Sequence, residues 1–101
     1  MFIAKVRGNV VTTQKVAKMQ GRKLLVVEPL SVDEAGALKP TGRCLVAVDH
    51  ISAGVDELVL VTQGSSARLT EFTQDCPVDC VVIGVIDSVS LGRETVFNKN
   101  G

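Results

Sequence analysis

The aliphatic residues of this chain fall in short runs, each stopped by glycine, proline or an acidic turn. Leu24-Leu25-Val26-Val27 runs into Pro29, Leu45-Val46-Ala47-Val48 into Asp49, Leu58-Val59-Leu60-Val61 into Gly64, and Val81-Val82-Ile83-Gly84-Val85-Ile86 into Asp87. An amphipathic helix needs apolar residues at a 3.6-residue period over about 10–12 positions, whereas runs this short and this rich in β-branched valine suit strands. No segment carries the helical period over a long stretch, so the chain is all-β.

The first strand is read over residues 2–13, where Phe2, Ala4, Val6, Gly8 and Val10 share one face and Lys5, Arg7 and Asn9 the other. Gly8 in its middle marks a bulge or bend, as where a sheet curls toward closure. Gln14 to Arg22 is a polar connection. The second strand is Lys23 to Glu28, ended by Pro29, which cannot donate to a ladder. Ser31 to Gly42 is turn chemistry throughout and reads as a mobile surface loop. Arg43–Asp49, Leu58–Thr62 and Cys80–Ile86 follow as strands, the first two separated by a turn centred on Gly54, and Glu94–Phe97 is a short last one. About six strands at turn-punctuated spacing predict a closed or partly closed barrel. Several runs are continuous rather than alternating, which predicts cover on both faces.

A chain of 101 residues has room for one core, so residues 1–101 are read as a single domain. It is 46% hydrophobic yet only 3% aromatic, so its apolar mass is nearly all aliphatic. A domain this small cannot hide so much aliphatic surface inside one monomer, and the surplus predicts subunit interfaces. Eleven Lys+Arg balance eleven Asp+Glu, so no global field favours nucleic acid or anionic lipid. Oligonucleotide-binding barrels stack bases on aromatics along a basic groove. With three Phe and no Tyr or Trp, that binding-module reading stands as the alternative rather than the expectation. The N-terminal residues show no signal-peptide pattern and no apolar run approaches the roughly 20 residues that span a bilayer, so the expected location is cytoplasmic, with no membrane partner.

The catalytic inventory is thin. One His and three Cys are present, and Cys44, His50, Cys76 and Cys80 do not make two matched zinc knuckles, although Cys76 and Cys80 are spaced C-x3-C. The cysteines read as free thiols behaving as small buried hydrophobes, and no metal or cofactor is expected. The serines lack a nucleophile elbow, and Asp33-Glu34 and Asp56-Glu57 are adjacent pairs whose side chains diverge in extended chain. No catalytic residue is assigned, and a small-molecule enzyme with a site between subunits is the weaker rival. Gly64-Ser65-Ser66-Ala67-Arg68 has the composition of a sharp strand exit and helix cap whose freed N–H groups, with Arg68, can hold an anion.

The ordered series Ile3 to Lys15, Lys23 to Val27, Val46 to Asp49, Ala53 to Val61, Gly64 to Arg68, Pro77 to Asp79 and Val82 to Asp87 resembles the pentameric vertex proteins of bacterial microcompartments. These are shell components of carboxysomes and of ethanolamine- and propanediol-type compartments. The resemblance spans residues 2–97 and implies a five-stranded, oligonucleotide-binding-like β-barrel with a short helix, assembled as a homopentamer that plugs shell vertices. The barrel is expected to be closed and to carry a short extra strand or hairpin beside the helix. The resemblance also implies hexameric and pseudohexameric shell proteins as the other partners, no nucleic acid, and location in the shell. It places Gly64, Ser65, Ser66, Ala67 and Arg68 beside a narrow pore on the five-fold axis. Ser52 stands where the family often has the first glycine of a G-A-G turn.

Overall fold

The computed structural model describes residues 1–12, 23–64 and 79–100, and turns the aliphatic runs into strands. They are β1 (Phe2–Val10), β2 (Lys23–Val32), β3 (Leu38–Pro40), β4 (Leu45–Asp49), β5 (Leu58–Gln63), β6 (Cys80–Val85), β7 (Ser88–Leu91) and β8 (Glu94–Asn98). The main sheet runs β1-β5-β6-β4-β2-β3, and β1 also pairs with β2, so five strands close into a barrel with β3 appended to β2. Every neighbouring pair is antiparallel except β4 and β6, which run parallel and meet at Val48 and Val81.

Closure gives each strand an inside and an outside. Ala4 and Val6 of β1, Leu25 and Val27 of β2, Ala47 of β4, Val59 and Val61 of β5, and Cys80 and Val82 of β6 form the interior with Ala53. Leu25 apart, all are small, and the aromatic Phe2 packs against this cluster only partly buried. A five-stranded barrel leaves a narrow lumen that valine and alanine fill without strain. The aromatic-poor composition therefore fits the interior as well as the exterior.

The expected irregularity in β1 is present. The pairing of β1 with β2 shifts between Val6 and Gly8, leaving Arg7 as the extra residue. A bulge re-aims the residue it frees. Arg7 reaches sideways to Glu28 of β2, Nε to Oε1 at 2.7 Å, and the other carboxylate oxygen of Glu28 accepts the Gly42 N–H at 2.8 Å. One carboxylate thus joins β1, β2 and the segment that enters β4.

Two expectations about this region need correction. Pro29 does not end the second strand, which runs on to Val32. Its carbonyl accepts the Thr41 N–H at 3.1 Å and the Thr41 hydroxyl at 2.8 Å, so its ring nitrogen faces that same side. There the ladder with β4 has ended at Val27 and the ladder with β3 starts at Leu30, so no bond is lost to the proline. The segment Ser31 to Gly42, read as a mobile loop, is a hairpin of β2 and β3. Asp33 ties its turn: its carboxylate accepts the N–H groups of Ala35 and Ala37, both at 2.9 Å, while Gly36 takes the left-handed φ of 83° the turn requires. The predicted strand at Arg43–Asp49 starts at Leu45, and Cys44 is exposed rather than buried.

Between β4 and β5 the chain is held by acidic side chains. Asp49, 1% exposed, accepts the N–H of Ile51 at 2.9 Å and of Ala53 at 2.8 Å. Glu57 accepts the Gly54 N–H at 2.6 Å. Ser52 and Asp56 adopt left-handed φ values of 60° and 73°. The last strand predicted at Glu94–Phe97 is one half of a separate hairpin, β7–β8.

Candidate assembly surface

Of the five residues expected at a five-fold axis, Gly64 lies within the described chain. It leaves β5 with a φ of 70°, its N–H donates to the Asp79 carbonyl at 2.8 Å, and it is exposed with open space where a Cβ would stand. The sharp, glycine-dependent strand exit is as expected. Ser65, Ser66, Ala67 and Arg68 lie outside the described residues, as do Cys76 and the short helix anticipated after Gly64.

The described thiols and imidazole are dispersed. Cys80 is buried in the barrel wall, where desolvation first and the nearby Asp79 charge second push its thiol up from its ordinary value. Cys44 is exposed at the entry to β4 and His50 is exposed at its end. Among the described residues no group of three His, Cys, Asp or Glu is placed to hold a metal.

What the structure brings together is aliphatic surface. Residues alternating with the interior set point outward, and on the paired β2–β4 face these are Leu24 and Val26 opposite Val48 and Val46. Val46 is 50% exposed, and Ile83 of β6 is 39% exposed. Val48 and Val81 on this side are buried, so the runs are covered on both faces only where the end of β4 meets the start of β6. Val46 at the other end of β4 and Ile83 farther along β6 remain open to solvent. The run pattern predicted two-sided burial; which residues stay uncovered depends on strand register and was not readable beforehand.

A second aliphatic surface lies on β7–β8. Val89 pairs with Phe97 and, past a bulge, Leu91 pairs with Glu94 on the same side, while Ser90 pairs with Thr95 and Ser88 with Asn98 on the other. One face of the ribbon thus carries Val89, Phe97 and Leu91 with Glu94 at its tip, and the other is polar throughout. The sequence signal for its first strand is the alternation Ser88-Val89-Ser90-Leu91. Phe97 lines two clefts of about 330 and 220 Å³ on the flanks of Leu58, shared with Ile86 on one side and Leu30, Leu38 and Pro40 on the other.

Two carboxylates brace these surfaces. Arg7, hydrogen-bonded to Glu28, and then the Gly42 N–H hold the Glu28 carboxyl below its ordinary range. The Gly54 N–H and then Lys99, whose Nζ lies 3.0 Å from Oε2, lower that of Glu57. The Lys99 N–H also donates to the Asp87 carbonyl at 2.7 Å, which pins both ends of the hairpin together. Both carboxylates tie separate segments together, so their role here is mechanical.

Residues 1–87 match the family described as ethanolamine utilisation protein EutN/carboxysome. The chain is 48% identical over 99 residues to the carboxysome shell vertex protein CcmL of Synechococcus elongatus, covering 98% of this chain and 96% of that protein. It is 41% identical over 99 residues to the bacterial microcompartment shell vertex protein EutN of Escherichia coli, covering 98% of this chain and all of that protein. Among solved structures, CcmL of Gloeobacter violaceus superposes with a TM-score of 0.88 at 42% identity over the whole of both chains. The GrpN pentameric microcompartment shell protein of Rhodospirillum rubrum does so with a TM-score of 0.76 at 39% identity, over 92% of this chain and all of that one.

Proposed function

The chain belongs to the EutN/carboxysome family of microcompartment shell vertex proteins, and from that premise we propose how its surfaces serve a shell. It is a structural protein rather than an enzyme, acting as a homopentamer that caps vertices of a polyhedral bacterial microcompartment shell in the cytoplasm. The observation that carries this reading is the whole-chain likeness to vertex and pentameric shell proteins. The exposed outward aliphatics of the barrel, Val46 and Ile83, support it, since a five-fold ring needs apolar faces that a lone subunit leaves uncovered. Flat hexagonal tiling cannot close, so a polyhedron requires five-fold units at its corners. A ring of this kind is built from heterologous contacts, one patch of each subunit against a different patch of the next, repeated until the rotation closes.

Two finer assignments complete the proposal. The flanks of the ring meet hexameric and pseudohexameric shell tiles. The strand exit at Gly64, continuing through Ser65, Ser66, Ala67 and Arg68, borders the five-fold axis, where repeated N–H groups and five copies of Arg68 favour an anion. The exit geometry of Gly64 supports a chain that turns sharply at this point. Arg68→Ala is expected to reduce anion binding on the axis while leaving the ring assembled; loss of the ring would make Arg68 an interface residue instead.

Light scattering tests the central claim, with the mass of five copies expected and any other dominant species counting against it. In cells, removing the protein leaves shell tiles present but compartments elongated or unclosed. Normal closed shells with no substitute vertex protein would overturn the reading.

A further inference from the structure

The β7–β8 hairpin stands apart from everything the barrel explains. The family match ends at residue 87 and β7 begins at Ser88, so the hairpin follows the matched barrel in sequence. The hairpin forms its own two-stranded sheet and pairs with no barrel strand. A two-stranded ribbon is at best marginally stable in water unless its apolar face is covered. Here the apolar row starts at Phe97, beside Leu58 of the barrel, and runs through Val89 to Leu91, which is 37% exposed.

The direction of the ribbon is nevertheless fixed. Lys99 clamps its base twice, through its N–H to the Asp87 carbonyl and through Nζ to Glu57, whose other oxygen grips Gly54 in the β4–β5 loop. A braced ribbon whose apolar row is half-buried at Phe97 and Val89 and open at Leu91 has its tip available to another molecule. The polar face of serines, threonine and asparagine is suited to water.

We propose that β7–β8 is an intersubunit arm: its Val89–Leu91–Phe97 face seats on a second copy of this chain in the ring, and Glu57 and Lys99 are positioning residues that aim it. This rests on the pentamer reading above. The occupant is a second copy because a heterologous ring needs two different complementary patches on one chain. The chain supplies both an apolar row on the ribbon, open at Leu91, and exposed outward-facing aliphatic side chains on the barrel at Val46 and Ile83. The match in chemistry is aliphatic on both sides.

The test uses the full-length protein. Hydrogen exchange of the parent is followed at a protomer concentration that holds the ring and again after dilution below its dissociation. The amides of residues 88–98 are expected to be protected in the ring and to exchange freely on dilution, since an uncovered ribbon opens readily. Equal exchange in both states would overturn the arm, as it would if the face served another shell protein. In parallel, Leu91→Asp, a change at the exposed tip, should raise the protomer concentration needed for assembly at least about tenfold. The melting of the dissociated subunit should not change, and assembly with the parent's concentration dependence would overturn the proposal. Lys99→Glu, which sets a second carboxylate against Glu57 and leaves the Gly54 bond in place, should weaken assembly while Lys99→Arg keeps it; equal assembly by the two variants would remove Glu57 and Lys99 from the aiming role. If the parent itself is not a pentamer, the ring reading fails; if the parent is a pentamer and Leu91→Asp is too, only the arm does.

Discussion

Replacing Asp49 with alanine is the most demanding test of how the barrel holds its β4–β5 connection. The carboxylate is 1% exposed and accepts two backbone N–H groups, from Ile51 at 2.9 Å and from Ala53 at 2.8 Å. Ala53 is part of the core, so its N–H has no route to water once the acceptor is gone. Ile51 is 37% exposed, and its N–H can be rescued by solvent. A hydrogen bond to a charged acceptor contributes about 1.5–3 kcal/mol, and a stranded buried donor costs about 1–3 kcal/mol. Counting the Ala53 bond in full and the Ile51 bond in small part, Asp49→Ala should destabilise by roughly 2–4 kcal/mol. For a chain of this length that lowers the melting temperature by about 10–20 °C. Asp49→Asn keeps one acceptor oxygen but turns an amide donor toward the other N–H, so it should fall between the two. Thermal unfolding is compared at equal protomer concentration, because ring formation stabilises by mass action. An alanine variant melting within about 2 °C of the parent would refute the argument that this buried carboxylate anchors the loop.

Two further outcomes follow from the same region and from β1. Ser52→Gly should be neutral to stabilising by up to about 1 kcal/mol, because relieving a left-handed residue recovers about 1–2 kcal/mol and the freer unfolded chain takes back about 0.5–1; a fall in melting temperature would show that the Ser52 side chain contributes contacts that outweigh its φ of 60°. The Glu28 carboxyl is held below its ordinary value by Arg7 and the Gly42 N–H, so the stabilisation it supplies is complete above the unfolded-state value and is lost as pH falls through the depressed folded value. Urea midpoints measured from neutral into the acid range should decline more steeply for the parent than for Glu28→Gln, and parallel declines would show that this carboxylate does not carry the acid sensitivity.

The elements that sequence alone determined are those whose signal is local. Valine-rich runs bounded by Pro29, Asp49, Gly64 and Asp87 are strands whatever their neighbours, because period and β-branching act within a few residues. Gly8 announced the β1 bulge in the same way, and the ordered motifs identified the family before any pairing was known. The exit at Gly64 was legible, and the rest of the anticipated axis segment lies outside the described residues.

Tertiary structure decided everything that depends on which strands meet. Pro29 is tolerated mid-strand only because β2 exchanges β4 for β3 at that point, and Ser31–Gly42 is a hairpin only because β3 finds β2. Arg7 and Glu28 are 21 residues apart and meet through a shift in register. Cys44 is exposed because β4 begins one residue later. The same holds for the assembly surface: composition predicted surplus aliphatic area, but alternation across a closed barrel decided that Val48 and Val81 are covered while Val46 and Ile83 are not. Chain-local chemistry sets what each segment becomes, and only closure of the barrel sets which of its faces is left for another molecule.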